Sequence, residues 1–434
     1  MKAYTQYVTT GQSAPTEGRL QNLQSIFLDL LIPKEPGLTR VRKMDLRDGA
    51  ERRNNVKVLD FIGLVEQYDY PAEEHNVTTE DGYNLKLHRI PGSPSFDSKN
   101  KKEIVFIQHG ILASSDSWVV YGTGKDLAFL LVDQGYDVWI GNMRGNTYCR
   151  SHTNMTIYDP KFWQFSFHEL GTKDLPAMFD YIFNYTQQTD LYYIGHSMGT
   201  TSIFTLLSSK PEYNMKMKMV ICLAPVAFWT KVTPSFNGIA NTLVSLKKIF
   251  KQHEIYDVFP QCWSTIKIAR TFCNDKAITQ IICVTILFFI VGPDPAQLNT
   301  TTLPEILSYY PAGTSIQTFD HYYQNLRKNE FRMYDYGVAE NYERYKQKKP
   351  PSYDLKKITA PTVLIYSDND NIVPEENVLE LSKRLPNVLL TEKVPYKLFN
   401  HADFMWAIDV KTLLYDRVLE LIQKFDVKQN KFLK

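Results

Sequence analysis

This sequence of 434 residues has few cysteines and almost no net charge. Five cysteines are too few for a disulfide-built scaffold, and none has the C-x-x-C spacing of a zinc ribbon. The 49 basic and 47 acidic residues leave a formal charge of only +2. No excess of positive charge therefore points to nucleic acid or to an anionic membrane surface as a partner.

Long hydrophobic runs are also lacking. The longest one, residues 281–291, has 11 residues, whereas a membrane-spanning helix needs about 20. We therefore predict a buried or interfacial segment and no transmembrane helix. The first 16 residues show no apolar core of the kind a signal peptide needs.

Aromatic and aliphatic residues are plentiful, and the way they are spaced along the chain predicts an α/β core. Short apolar runs that end in turn signals alternate with helical patterns, which is typical of a mostly parallel sheet covered on both faces. A hairpin over residues 75–90 is expected to turn at Asp81 and Gly82. The predicted strands are 103–107, 136–140, 191–194, 219–223, 362–366 and 394–399, and the predicted helices are 125–134, 174–185, 201–207 and 411–424.

This alternation defines four segments of the chain. Residues 1–55 are polar and irregular, and we expect a loosely attached N-terminal extension. The α/β core is predicted over residues 56–227 and again over residues 346–434. Between them, residues 228–345 are helix-like and aromatic, and we interpret them as a cap inserted between two strands of the sheet.

The clearest chemical signal is the motif GHSMG at residues 195–199. It follows an apolar strand and precedes a helical stretch, as a nucleophile elbow requires. Gly195 and Gly199 flank Ser197 at the positions where the tight turn leaves room only for very small residues. Ser197 is thus the candidate nucleophile.

A serine hydroxyl needs a base, and on this fold the acid and then the histidine follow the serine along the chain. Only His253, His321 and His401 lie downstream of Ser197. The first two fall in the predicted cap, so His401 is the candidate base.

Two acids follow the penultimate strand, and both are candidates for the residue that orients His401. The loop must reach across to the histidine, which favours Asp370 over Asp368. We expect Asp368 to serve as a turn former instead.

An oxyanion hole needs two backbone N–H groups. Met198, directly after the nucleophile, should supply one, and Ile111 in the loop after an early strand should supply the other. Gly110 allows a close backbone approach there, and His109 is expected to shape the loop rather than to act as a base.

With these motifs in place, the chain resembles the acid lipase family, which includes gastric lipase, lysosomal acid lipase and related insect lipases. The similarity covers residues 56–425. The stretches that carry it are TEDGY (79–83), QHGILAS (108–114), GYDVWIGNMRGN (135–146), FWQFSFHELGTKDLPA (162–177), GHSMG (195–199), LAPVA (223–227), PAGTS (311–315), YDYG (334–337), SDNDNIVP (367–374) and NHADFMWA (400–407).

The resemblance implies an α/β-hydrolase fold with an inserted helical cap, part of which, about residues 260–290, forms a lid. It places the nucleophile on Ser197, the acid on Asp370 and the base on His401, with the oxyanion amides on Ile111 and Met198. The implied activity is hydrolysis of neutral lipid esters, triacylglycerol or sterol esters, at a lipid–water interface, without cofactor or metal. A carboxylesterase for soluble short-chain esters is the alternative.

The resemblance also implies a secreted or lysosomal protein, although no signal peptide is visible. Four N-x-S/T sequons, at Asn76, Asn154, Asn184 and Asn299, give weak support for secretion. The lid disulfide of the mammalian members matches Cys283 and residue 291, which is a valine here, so that bridge is not expected. A Cys262–Cys273 bridge is a possible substitute.

Overall fold

A twisted β-sheet forms the centre of the computed structural model, which describes residues 38–44, 56–94 and 102–432. Within these residues the sheet has nine strands in the order β13-β12-β9-β8-β5-β6-β4-β3, and β7 also pairs with β4. The strands from β13 to β6 run parallel, and β3, β4 and β7 are antiparallel to their neighbours. This confirms the predicted mostly parallel sheet.

The strands of this sheet have the following bounds: β3 Glu73–Thr78, β4 Tyr83–Ile90, β5 Ile104–Gln108, β6 Asp137–Gly141, β7 Ser151–His152, β8 Leu191–His196, β9 Met217–Leu223, β12 Thr362–Tyr366 and β13 Val388–Lys393. The helices of the core are Phe61–Glu66, Leu127–Asp133, Phe167–Glu169, Leu175–Thr186, Met198–Ser209, Glu375–Arg384, Asp403–Trp406 and Asp416–Phe432.

The central strands form because their residues are apolar on both faces. Every residue of β5, β6, β8 and β12 is buried, as expected for parallel strands that are covered on both sides by helices. The predicted hairpin is confirmed, since β3 and β4 pair in antiparallel register around Asp81 and Gly82.

One predicted strand is wrong. Residues 394–399 form a loop, and the last strand of the sheet is instead β13, Val388–Lys393. Pro395 has no N–H for a ladder bond, which disfavours a strand there. β13 lies at the edge of the sheet and is only partly buried, and its three apolar residues are followed by three polar ones, so the apolar run does not extend through the strand.

Part of the predicted N-terminal extension is firmly attached. Strand β1, Leu38–Val41, pairs in parallel with β2, Val56–Leu59, beside the main sheet. Arg40 in β1 forms an ion pair of 3.0 Å with the buried Asp116. The expectation of a loose extension is therefore wrong for these residues, and residues 1–37 and 45–55 lie outside the described part of the chain.

The segment between β9 and β12 is mostly helical. A two-stranded ribbon of β10, Asp257–Val258, and β11, Thr314–Ser315, crosses it. Its helices are Pro234–Gln252, Trp263–Phe272, Gln280–Val291, Leu303–Tyr309, Ile316–Lys328 and Val338–Tyr345. Among the described residues, no helix has the length and apolar character needed to cross a membrane.

Candidate active site

Ser197 lies at the sharp turn between β8 and the helix Met198–Ser209. Its backbone has φ +53° and ψ −116°, a conformation that residues with a side chain rarely adopt. The Ser197 amide donates to the Leu223 carbonyl of the neighbouring strand at 3.0 Å, which helps to hold this strained conformation. The turn therefore presents the hydroxyl at the carboxyl ends of the strands.

Close packing explains the glycines of the motif. A Cβ on Gly195 would lie 2.8 Å from the ring of Tyr193, and one on Gly199 would lie 2.6 Å from the Gln108 carbonyl oxygen. Both distances are too short for real atoms. The absence of a side chain at Gly199 thus lets the elbow approach β5, and its absence at Gly195 lets the turn pack beside Tyr193 of its own strand.

The structure brings Ser197, His401 and Asp370 into one chain of hydrogen bonds. His401 Nε2 lies 2.9 Å from Ser197 Oγ, and His401 Nδ1 lies 2.7 Å from Asp370 Oδ2. The other carboxylate oxygen of Asp370 accepts the backbone N–H groups of Ile372 and Val373, each at 2.8 Å. All three side chains are buried, so the acid is fixed in position and the imidazole is oriented by it.

Asp368, the other candidate acid, lies elsewhere. Its carboxylate is partly exposed and pairs with Lys393 Nζ at 2.7 Å. Of the other two downstream histidines, His253 is exposed at the end of the helix Pro234–Gln252, and His321 is buried between Ser166 and the Arg332 carbonyl. Neither histidine is hydrogen-bonded to Ser197.

Ile111 and Met198, the two residues predicted to supply oxyanion amides, line the same cavity as Ser197. Met198 begins a helix, where the first N–H groups have no intrahelical acceptor. Gly110 packs against the elbow so closely that an added Cβ would lie 3.1 Å from the Cβ of Ser197. Within the described residues, neither the Ile111 nor the Met198 N–H group donates to a protein acceptor.

His109 fixes the loop that carries Ile111. Its Nε2 accepts the Met143 backbone N–H at 3.3 Å, so its proton is assigned to Nδ1, which donates to the Gly110 carbonyl at 2.8 Å. In a trans peptide the C=O and the following N–H point in opposite directions. Holding the Gly110 oxygen therefore directs the Ile111 N–H the other way. Burial lowers the pKa of His109 to about 4, which keeps the ring neutral.

The sequence pattern does not reveal the role of His196, the residue before the nucleophile. Its Nε2 lies 3.1 Å from the His401 carbonyl oxygen, and the two imidazole rings are 4.8 Å apart between centroids. Burial lowers the pKa of His196 well below its usual range, so the ring is neutral and donates through Nε2. Its place directly before Ser197 is the only sequence signal.

A cavity of about 410 Å³ opens above Ser197 and His401. Apart from the polar groups at its base, its walls are largely aliphatic and aromatic, and they come from the core loops and from the helices of the inserted segment. The wall side chains from the inserted segment include Phe236, Ile239, Leu243, Leu287, Phe288, Phe319 and Tyr322. The arrangement can hold an apolar chain whose reacting group lies at Ser197.

The helix Gln280–Val291, here called the lid helix, covers one side of this cavity. Leu287, Phe288, Ile290 and Val291 line the cavity. The opposite face is apolar too and is exposed to solvent. Its exposed side chains are Ile281 (70%), Ile282 (57%), Ile286 (57%) and Phe289 (56%).

A disulfide between Cys273 and Cys283 joins the lid helix to the end of the preceding helix. Of the pairings among Cys262, Cys273 and Cys283 that the sequence left open, this one forms and the Cys262–Cys273 bridge does not. Cys262 is a free, buried thiol at the start of the helix Trp263–Phe272, so the ten-residue helix separates it from Cys273. Cys283 lies one turn into the lid helix and within disulfide reach of Cys273, with 5.6 Å between the Cα atoms.

In the part of the chain that the structure describes, no group of three or more His, Cys, Asp or Glu side chains is placed so that it could hold a metal ion. The polar groups around Ser197 are instead arranged as hydrogen-bond donors and acceptors for acyl chemistry.

Two family models and several known lipases are similar in sequence to this chain. Residues 61–122 match the model of a partial alpha/beta-hydrolase lipase region, and residues 103–251 match that of the alpha/beta hydrolase fold. Lipase 1 of Drosophila melanogaster is 38% identical over 86% of this chain and 82% of its own length. The human gastric triacylglycerol lipase is 35% identical over 84% of this chain and 91% of its own length. The human lysosomal acid lipase/cholesteryl ester hydrolase is 35% identical over 87% of this chain and 93% of its own length.

Proposed function

Since this chain belongs to the acid lipase family of α/β-hydrolases, we propose that it is a serine hydrolase that cleaves neutral lipid esters such as triacylglycerols or sterol esters. The observation that carries the proposal is the hydrogen-bonded chain of Ser197, His401 and Asp370 at the base of a large apolar cavity. A nucleophile, a base and two free amides are sufficient for hydrolysis by acyl transfer. The apolar cavity above them favours an ester of a fatty acid as the substrate.

In the first half of the proposed reaction, Ser197 Oγ attacks the ester carbonyl carbon while His401 Nε2 takes the hydroxyl proton. The negative charge moves to the carbonyl oxygen, where the N–H groups of Ile111 and Met198 stabilise it. Asp370 holds the Nδ1 proton and stabilises the imidazolium. His401 then gives its proton to the leaving alcohol, and the acyl group stays on Ser197.

In the second half, a water molecule attacks the acyl-enzyme. His401 takes a proton from this water, and the same two amides hold the new oxyanion. Collapse of the intermediate returns the proton to Ser197 Oγ and releases a fatty acid. This chemistry uses only side chains and amides of the chain itself, so the proposal includes no cofactor or metal.

Two surfaces favour a lipid substrate over a small soluble ester. The cavity walls are apolar, and the exposed face of the lid helix is apolar as well. A contiguous exposed apolar patch beside a binding cavity is typical of a site that meets another apolar surface. We infer that the lid helix contacts the lipid–water interface, with residues 228–345 as the cap and residues 260–290 as the lid.

We further infer a secreted or lysosomal location. The Cys273–Cys283 disulfide fits an oxidising compartment, and two of the relatives are named gastric and lysosomal lipases. The sequon asparagines Asn76, Asn154 and Asn184 are exposed, as attachment of glycans would require.

The test is the release of fatty acid from emulsified long-chain triacylglycerol, from cholesteryl ester and from a soluble butyrate ester, for the wild type and Ser197→Ala. We expect long-chain release that falls by a factor on the order of 10⁶ in the variant, because no other group replaces the nucleophile. Circular dichroism of the variant serves as the folding control. Turnover of the butyrate ester alone would instead support a carboxylesterase, and activity that survives in Ser197→Ala would contradict the mechanism.

A further inference from the structure

The end of the lid helix rests directly on the two loops that carry Asp370 and His401. The Val291 carbonyl accepts the backbone N–H groups of Asn371 and His401, each at 3.3 Å. The Asn400 side-chain amide donates to the Gly292 carbonyl at 2.9 Å. Gly292 packs so tightly that a Cβ there would lie 2.0 Å from the Asn369 carbonyl oxygen. The position of the proposed base is thus tied to the position of the lid.

Two buried carboxyl groups lie at this junction. Asp294, which is fully buried, follows the lid helix by three residues, and Asp403, which is 5% exposed, follows His401 by two. The carboxyl groups of Asp294 and Asp403 are within hydrogen-bonding reach of each other. Asp294 thus belongs to the segment that follows the lid helix, and Asp403 belongs to the loop that carries His401, the proposed base.

The other hydrogen bonds of Asp294 and Asp403 leave room for a single proton between the two carboxyl groups. Asp403 Oδ2 accepts the Asn400 backbone N–H at 2.7 Å. Asp294 Oδ1 accepts the Tyr396 hydroxyl at 3.2 Å and the Gln297 backbone N–H at 3.3 Å. Asp294 Oδ2 is buried and has no donor among the described residues. Two buried carboxylates that face each other cannot both ionise without strong repulsion.

We propose that Asp294 and Asp403 share one proton and in this state clamp the His401 loop to the end of the lid helix. Both are then positioning residues for the proposed base, so the inference rests on the proposed function. When the shared proton is lost, the two carboxylates repel each other, and the loop of His401 and the end of the lid helix are pushed apart.

The surroundings of the pair favour the shared proton. Burial, together with the Asp294 charge, raises the pKa of Asp403 to about 8. The other titratable groups that face the pair are Asp370, Tyr396 and Tyr121, with His401 on the same loop. Of these only His401 can carry a positive charge, so little besides the proton itself stabilises a second carboxylate.

The sign of the pH effect follows from this raised pKa. An aspartate in the unfolded chain has an ordinary pKa of about 3.9. The folded chain holds the proton at a higher pH, so the stability that the pair contributes is fully present below about pH 4. It is lost progressively as the pH rises through the folded pKa of about 8. The clamp therefore favours acidic conditions.

The test compares the wild type with Asp294→Asn, which keeps a permanent donor in place of the shared proton. Asn Oδ1 replaces the oxygen that accepts from Tyr396, so Nδ2 points at Asp403. We expect kcat for p-nitrophenyl butyrate in the wild type to fall about tenfold from pH 7 to pH 9, and in Asp294→Asn by less than twofold. The control Asp368→Asn, in the neighbouring loop, should follow the wild type. Parallel falls in the wild type and Asp294→Asn would overturn the proposal.

A second variant and a second readout do not depend on activity. Asp403→Asn can accept from Asn400 through Oδ1 and donate to Asp294 through Nδ2, so it should behave like Asp294→Asn. Thermal melting should give both variants a higher Tm than the wild type at pH 9 and a similar Tm at pH 5. A difference that is the same at both pH values would exclude the shared proton. If no form of the protein hydrolyses any ester, the proposed function fails, while the melting curves still decide on the clamp.

Discussion

At the scale of single residues, geometry separates two aspartates that stand only two positions apart. Asp370 is buried and holds His401 Nδ1 at 2.7 Å, while Asp368 is partly exposed on the other side of the same loop. Substitution of Asp by Asn replaces a carboxylate by an amide of nearly the same size at either position. The pair of variants therefore tests position in the fold rather than residue type.

We expect Asp370→Asn to lower kcat by about 10⁴-fold, because the amide favours the wrong tautomer of His401 and cannot stabilise the imidazolium. Asp368→Asn should change kcat less than twofold. Initial rates on a soluble ester check both. Equal losses in the two variants would contradict the assignment of the acid.

The proposed base and oxyanion loop each depend on a further histidine that stays neutral. His109 holds the Gly110 carbonyl, and His196 lies against the carbonyl of His401. Burial lowers the pKa of both rings. Because a neutral ring donates through one nitrogen only, each histidine can hold one chosen oxygen, and the backbone around the reacting centre stays fixed.

At the scale of elements, the lid helix has two apolar faces with different surroundings. One lines the cavity, and the other, which includes Ile282 and Phe289, meets solvent. A helix in a soluble protein normally has a polar outer face. The exposed face of this helix is therefore expected to be buried when the enzyme meets lipid.

The double variant Ile282→Gln with Phe289→Gln should lower hydrolysis of emulsified triacylglycerol at least tenfold. Full burial of an apolar side chain contributes roughly 1.5–3 kcal/mol, and these two side chains, 57% and 56% exposed, can transfer about half of their surface to lipid. Hydrolysis of soluble butyrate ester should change less than twofold, since neither residue lines the cavity. Met215→Gln removes another exposed side chain, 90% accessible, far from the lid helix in sequence, and serves as the control. Equal loss on both substrates would show that the substitutions disturb the site instead.

At the scale of the whole molecule, Arg40 joins three parts of the chain. From β1 its guanidinium contacts the buried Asp116 and the Tyr148 hydroxyl of the core, and Gln261 in the mostly helical segment between β9 and β12. The Arg40 guanidinium also lies over the Tyr148 ring at 4.4 Å. The segment that the sequence suggested to be loose thus holds the core and the inserted segment together.

We expect Arg40→Met to lower the free energy of unfolding by about 3 kcal/mol, because Asp116 would remain buried without its ion pair. Arg42→Met in the following turn is the matched control, since Arg42 is half exposed and its ion pair with Asp60 is solvated. Urea denaturation followed by circular dichroism measures both. Equal midpoints for the two variants would show that the contact of Arg40 adds nothing to stability.

Much of the fold could be predicted because its signals are local. Parallel strands that are buried on both faces are continuous apolar runs, and the elbow around Ser197 needs small residues at fixed spacing. The edge strand β13 was missed because half-exposed edge residues carry no such pattern. The pairing of Cys273 with Cys283 stayed open in the sequence because the direction of a cysteine side chain depends on how two helices pack.

The sequence by itself determined the alternation of the buried central strands with helices, the nucleophile turn and the candidates for acid and base, since each depends on neighbouring residues. Only the tertiary structure decided which residues that are distant in the sequence contact each other. It brought His401 to Ser197 over a separation of 204 residues, Arg40 to Gln261, and Asp294 to Asp403. Contacts between distant segments arise from packing of the whole core, and no local pattern of residues encodes them.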